Sequence, residues 1–314
     1  MIRRTDSRSS GRDNRRDNGY LRAAALAAAV FTAGMSLFFY ALPAFAESRN
    51  FARAAAIQER SETAEDMVER LLSPSSVNIL TQGMTQQDAR IFEPVILSSY
   101  TSSYQAFPES AVNADAACAY LNNTIVGAYQ SFSYNETLGE RTTERGYVEA
   151  PSITSARMER TVGGGICQVS SVLYHAALSG GMQILERHAH TLQVGYAPDG
   201  FDASVVFGHW DFRFSNPYSC PVVILAGRDP ASKQLRIFLV SARQDLTQGK
   251  SYVLRSEQKD KLVYHNFIDT WEDGRRTATR DLGYNYYQGS VASARENSTR
   301  SMTVRTPLYF DKLR

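Results

Sequence analysis

Gly163-Gly164-Gly165-Ile166-Cys167-Gln168-Val169-Ser170-Ser171-Val172-Leu173-Tyr174-His175-Ala176-Ala177-Leu178 is the stretch on which the fold turns. The three glycines reach backbone conformations closed to other residues. Behind them Val169, Val172, Leu173 and Ala176 recur at i, i+3, i+4 and i+7, one face of a helix. Gly180-Gly181 stops it. Cys167 therefore sits at a helix N-terminus behind a glycine turn. Free N–H groups and the positive end of the helix dipole favour a thiolate there. The same N–H groups suit an oxyanion on a carbonyl under attack, and the glycines let a substrate backbone come close.

A thiolate nucleophile needs a base and a group that orients the base. Five histidines are available, at 175, 188, 190, 209 and 265. His188 and His190 lie in Glu186-Arg187-His188-Ala189-His190-Thr191; if that stretch is a strand, both rings share a side. Asp202 follows in Gly200-Phe201-Asp202-Ala203-Ser204. Cys, His and Asp in that order are the parts of a thiol acyl-transfer site, although chain order does not establish that they meet. Plainer readings stand beside this one. A cysteine in an apolar helix is more often a small buried hydrophobe. His175 suits packing or the surface, and His209 and His265 suit exposure. Gly127 and Gly146 read as turn residues. A zinc site from Cys167, His188 and His190 lacks the close ligand spacing that zinc sites show, and no metal or other cofactor is expected.

Outward from this core, residues 50–72 have helical spacing, and Ser73-Pro74-Ser75-Ser76 ends them. Ser98 to Tyr104 reads as a connection. Ala111 to Leu121 reads as a helix burying Val112, Ala116, Cys118, Ala119 and Leu121, closed by Asn122-Asn123. Short β runs follow at 131–134, 192–196, 203–207, 212–214, 221–225, 235–240 and 252–254, and then a polar, Arg- and Tyr-rich tail expected to be poorly ordered. Few helices and many short strands give an α+β fold, mostly antiparallel sheet, with one helix carrying the Gly-Gly-Gly-Ile-Cys motif at its N-terminus.

Of the 314 residues, 43% are apolar and 21% charged, a globular composition. Residues 1–46 hold seven Arg against three Asp, a net +4, which leaves −2 for the rest of a chain whose formal total is +2. A body of that charge does not suit nucleic acid. An Arg-rich start, an apolar run from Ala23 to Leu42, Pro43 and then Ala44-Phe45-Ala46 read as a secretory signal peptide cut after Ala46, or as an uncleaved anchor attached to a membrane through residues 23–42. Either places the body outside the cytoplasm, in the cell envelope. Three cysteines remain, Cys118, Cys167 and Cys220. A Cys118–Cys220 disulfide would leave Cys167 available, and buried structural thiols are an equal reading.

Gly163-Gly-Gly-Ile-Cys-Gln-Val-Ser-Ser-Val-Leu-Tyr174 resembles the signature of the VanW-domain family, named after an accessory protein of vancomycin-resistance clusters. The resemblance runs over roughly 105–240. It includes Phe132-Ser133-Tyr134-Asn135, Gly146-Tyr147, Glu186-Arg187-His188-Ala189-His190-Thr191, Tyr196-x-Pro198-x-Gly200-x-Asp202-Ala203 and Asp211-Phe212-Arg213-Phe214-x-Asn216. Ala189 stands where Asn is common and Phe201 where a basic residue is common. The resemblance implies a peptidoglycan L,D-transpeptidase, with Cys167 as nucleophile, His190 as base, His188 as its backup and Asp202 orienting the imidazole. Gly164, Gly165, Gln168, Ser170 and Arg187 are then the candidates for contact with the substrate, a peptidoglycan stem peptide. Water as acceptor would make the enzyme a carboxypeptidase. A non-catalytic wall-binding or accessory protein of the same family is the other function class. The expected domains are the leader at 1–46, a lead-in at 47–104, the VanW-like domain at 105–245 and a strand-containing extension at 246–314.

Overall fold

All residues from Gln168 to Leu178 are buried, so the helix Cys167–Ser179 is enclosed on every side rather than on one face. It packs on strands Val95–Ser103, Gln234–Ser241 and Lys250–Asp260. The computed structural model describes residues 63–290 apart from 83, 85, 87–93, 105–106, 155–156, 230 and 243, and these belong to one compact unit. The leader at 1–46 and the start of the helix expected from residue 50 lie outside the described residues. Among the described residues no helix is long and apolar enough to cross a membrane.

The fold is α+β with mostly antiparallel sheet. The central sheet runs Val95–Ser103, Gln234–Ser241, Val222–Asp229, Thr124–Val126, with every neighbour antiparallel. Its middle strands read as unbroken apolar runs because both faces are covered. Val222, Ile224, Leu235, Ile237 and Leu239 face the main core. Val223, Leu225, Phe238 and Val240 face a second cluster with Met67, Val68 and Leu80. Those last three come from helices Ala64–Leu71 and Pro74–Leu80. Ser73-Pro74 thus starts a second helix as well as ending the first: Ser73 accepts from the Ser76 N–H and Pro74 takes the first turn, where its missing N–H costs nothing.

Several sequence expectations are corrected. Ser98–Tyr104 is no connection, since Val95–Ser103 is the edge strand of the central sheet, ahead of the boundary drawn at 105. Its inward serines hid it: Ser98 Oγ donates to Ala176 O at 2.7 Å and Ser102 Oγ to Tyr196 O at 2.7 Å, so hydroxyls occupy positions where apolar side chains were sought. In the helix Pro108–Leu121, Val112 and Ala119 are exposed and Asn113 is buried instead. The run 203–207 makes only isolated bridges, His188 with Ser204 and Val206 with Trp210. The tail expected to be poorly ordered is, as far as 290, largely an antiparallel meander of Lys250–Asp260, Val263–Glu272 and Arg275–Tyr286. Asp273-Gly274, both with positive φ, closes its second hairpin in the two-residue form that such a pair favours.

Candidate active site

Each glycine of the run answers a different neighbour. An added Cβ would lie 2.9 Å from Arg141 Cβ at Gly163, 2.1 Å from Ala150 O at Gly164, and 2.7 Å from Ser110 Cβ at Gly165. Gly163 and Gly165 also have φ of 82° and 95°, which L side chains rarely adopt. Asn113 clamps the turn. Its Nδ2 donates to Gly164 O and to Val148 O, both at 2.9 Å, and its Oδ1 accepts from Val148 N at 2.7 Å. Gly164 and Gly165, expected to admit a substrate, are therefore packed against protein. The helix N-terminus is less open than expected too. Gln168 N–H donates to Gly165 O at 3.1 Å and Val169 N–H to Ile166 O at 2.9 Å, so those two donors are engaged within the turn.

Cys167, His190 and Asp202 come together. Asp202 is wholly buried. Its Oδ2 accepts from His190 Nδ1 and from His190 backbone N, each at 2.6 Å. Its Oδ1 accepts from Tyr287 OH at 2.6 Å and from Arg187 Nη2 at 3.2 Å. With Nδ1 committed to the carboxylate, Nε2 is the nitrogen left for chemistry, and the Tyr196 hydroxyl lies 3.3 Å from it. The Cys167 thiol donates to Val205 O at 3.7 Å, and His190 is the neighbour that most lowers its pKa.

The charges follow from these contacts. Burial would push the Asp202 carboxyl up, but the His190 hydrogen bond, the Arg187 charge and the Tyr287 hydroxyl hold it down to about 2. Burial would lower His190, but the hydrogen bond to Asp202 and the neighbouring Cys167 raise it to about 9. Burial would raise the Cys167 thiol. The neighbouring His190 and its charge, the Val205 backbone and the Arg141 charge outweigh it, and the thiol falls below its ordinary 9.0. A thiolate–imidazolium pair anchored on a sealed carboxylate is the activated form of a cysteine nucleophile.

Other expected residues are placed differently. His188 is not on a shared strand face with His190. The strand Gln183–Glu186 ends before it, and its ring bonds Glu186 Oε1 at 3.0 Å and stacks on Trp210. Cys167, His188 and His190 thus form no ligand set, and no metal-holding cluster occurs among the described residues. Gln168 donates from Nε2 to Ser102 Oγ and Ser103 O, and Ser170 Oγ donates to Ala203 O at 2.6 Å. Arg187 bonds Asp202, Gly200 and Asn285. These three expected substrate contacts turn their polar atoms into the protein, where they hydrogen-bond side chains and backbone carbonyls. His175 is a packing residue, stacked on Tyr100 at 3.9 Å. His265 is not exposed as expected: it is half-buried, stacked on Tyr284 and bonded to Asp281. All three cysteines are free, so Cys167 is available without a Cys118–Cys220 bridge.

Arg141, Tyr196, Asn285 and Tyr287 were missed as site residues. Tyr196 stood inside a quoted motif. The others carry no local signal, since Tyr287 reaches Asp202 across 85 residues of chain.

Residues 109–238 match the family model described as VanW like protein. The uncharacterized protein YoaR of Bacillus subtilis is 38% identical over 143 residues, 45% of this chain and 47% of its own. The vancomycin B-type resistance protein VanW of Enterococcus faecalis is 23% identical over 113 residues, 34% of this chain and 41% of its own. The chain thus spans less than half the length of these curated relatives. No solved structure matches it.

Proposed function

We propose that this chain, which carries a VanW-like domain over residues 109–238, is a cysteine acyltransferase that acts on peptidoglycan stem peptides as an L,D-transpeptidase. The observation that carries the proposal is His190, hydrogen-bonded through Nδ1 to the buried Asp202 and lowering the pKa of the neighbouring Cys167 thiol. In this reading the thiolate attacks the carbonyl that precedes a terminal D-alanine. The His190 imidazolium gives its Nε2 proton to the departing amine, and a thioester to Cys167 remains. An amine on a neighbouring stem then attacks the thioester, Nε2 takes its proton, and the new amide leaves as the thiolate is restored. Water in place of the amine gives a carboxypeptidase. The Arg-rich, apolar start of the chain supports a position in the envelope, cleaved from its leader or anchored by it.

The test is to incubate the full chain and its Cys167→Ala variant with muropeptides that carry tetrapeptide stems, and to follow products by mass spectrometry. Loss of D-alanine with dimer formation, absent from the variant, is expected. Loss without dimers assigns a carboxypeptidase. Binding of the fragments with no turnover would replace this reading with a non-catalytic accessory protein.

A further inference from the structure

Arg141 is half-buried, with one edge of its fork unused. Its stem lies against Gly163, where the missing side chain makes room for it. Its guanidinium sits over the Tyr134 ring at 5.6 Å and the Phe207 ring at 5.7 Å. Nη1 donates to Gly139 O at 2.8 Å. Nε and Nη2 are buried and have no hydrogen-bond partner among the described residues. Arg187 is the contrast, since its Nε, Nη1 and Nη2 are all bonded. Nε and Nη2 are the two nitrogens that share one edge of a guanidinium, the edge that grips a carboxylate with two parallel bonds. Leaving it unpaired is costly unless a ligand uses it.

The position of that edge is as telling as its chemistry. Tyr134, under the guanidinium, donates from its hydroxyl to Ile166 O at 3.3 Å, one residue before the nucleophile. Phe207, over it, follows two residues after Val205, whose carbonyl lies against the Cys167 thiol. Phe207 is 46% exposed and belongs to the surface turn 207–209, so its ring can leave without disturbing the core.

We infer that Arg141 is a carboxylate-binding subsite beside Cys167, capped by Phe207 in the free protein, and that it takes the terminal carboxylate of the residue just beyond the attacked carbonyl. The inference rests on the reading of Cys167 as the nucleophile. It makes the site selective for peptides that end one residue past the bond to be broken, because an internal or amidated residue offers the fork no negative partner.

The probe pair iodoacetate and iodoacetamide tests this on the full chain. Each alkylates a thiolate with loss of iodide, but only the first carries a carboxylate. Alkylation at Cys167 is read apart from Cys118 and Cys220 by mass spectrometry of peptides. Arg141→Gln is expected to lower the ratio of iodoacetate to iodoacetamide rates by about tenfold, the scale of one charge-assisted hydrogen bond. The ratio cancels any change in thiolate fraction, which affects both probes alike. Phe207→Ala, an exposed change, is expected to raise the ratio by uncovering the fork. A ratio unmoved by Phe207→Ala, or unmoved in a folded Arg141→Gln protein, overturns the subsite while leaving a reactive Cys167 intact. A Cys167 inert to both probes overturns the nucleophile itself, and the subsite with it.

Discussion

Tyr287 donates its hydroxyl to Asp202 Oδ1 at 2.6 Å and accepts the Gly200 N–H at 2.6 Å, so a residue outside the matched stretch 109–238 seals the carboxylate that orients His190. Tyr287→Phe strands one buried acceptor contact and one buried N–H. A loss of about 1–3 kcal/mol in unfolding free energy is expected, read from the urea midpoint. Acyl-transfer or alkylation rates at Cys167 should fall as well. A variant with unchanged midpoint and unchanged Cys167 reactivity would show that Tyr287 does not support the site.

Activity should rise with thiolate formation below pH 9.0 and fall as His190 loses its proton near pH 9, because the leaving amine then lacks its donor. Stability follows the same groups. The raised His190 pKa contributes stability that is full below 6.5 and lost as pH climbs through about 9. The lowered Asp202 pKa contributes stability present above 3.8 and lost as pH falls toward about 2. The alkaline loss should flatten in His190→Ala when denaturation midpoints are compared from about pH 6 to about pH 10.

Histidine substitutions separate the two candidates for the base. His190→Ala should lower iodoacetamide labelling of Cys167 at neutral pH by about tenfold or more, as the thiol returns toward its ordinary pKa. His188→Ala removes only the contacts with Glu186 and Trp210 and should leave labelling within about twofold. The reverse order would move the base to His188.

Gly164→Ala drives a methyl into the backbone of Ala150 and should cost about 3 kcal/mol or more, with the turn before Cys167 displaced. Gly208→Ala meets nothing within 4 Å and carries only the strain of its φ of 77°, about 1 kcal/mol. Thermal midpoints of the two variants check the contrast, and equal losses would contradict the packing described for Gly164.

The parts written in local pattern were legible. The helix behind the glycines and the strands at 222–229 and 234–241 follow from short motifs, while the grouping of Cys167, His190 and Asp202 was only what the family resemblance implied. What escaped depends on distant partners. Ser98 and Ser102 look like loop residues until the carbonyls that accept from them are known. Gln168, Ser170 and Arg187 look free for substrate until Ser102, Ala203 and Asn285 are placed beside them. Arg141 becomes visible only as a donor with too few acceptors, a property no sequence pattern expresses. The Asp273-Gly274 hairpin was a missed local signal, since that pair between alternating residues marks a tight turn.

The long reach from Asp202 to Tyr287 also sets an order of events in the life of the chain. Cys167, His190 and Asp202 are synthesised well before the meander that delivers Tyr287 and Asn285. Until that last piece docks, Asp202 Oδ1 lacks the Tyr287 hydroxyl and Arg187 lacks its Asn285 partner. A chain cut short of Tyr287 is therefore expected to hold Asp202, and through it the His190 ring, less firmly, which ties the setting of the site to residues beyond the matched stretch.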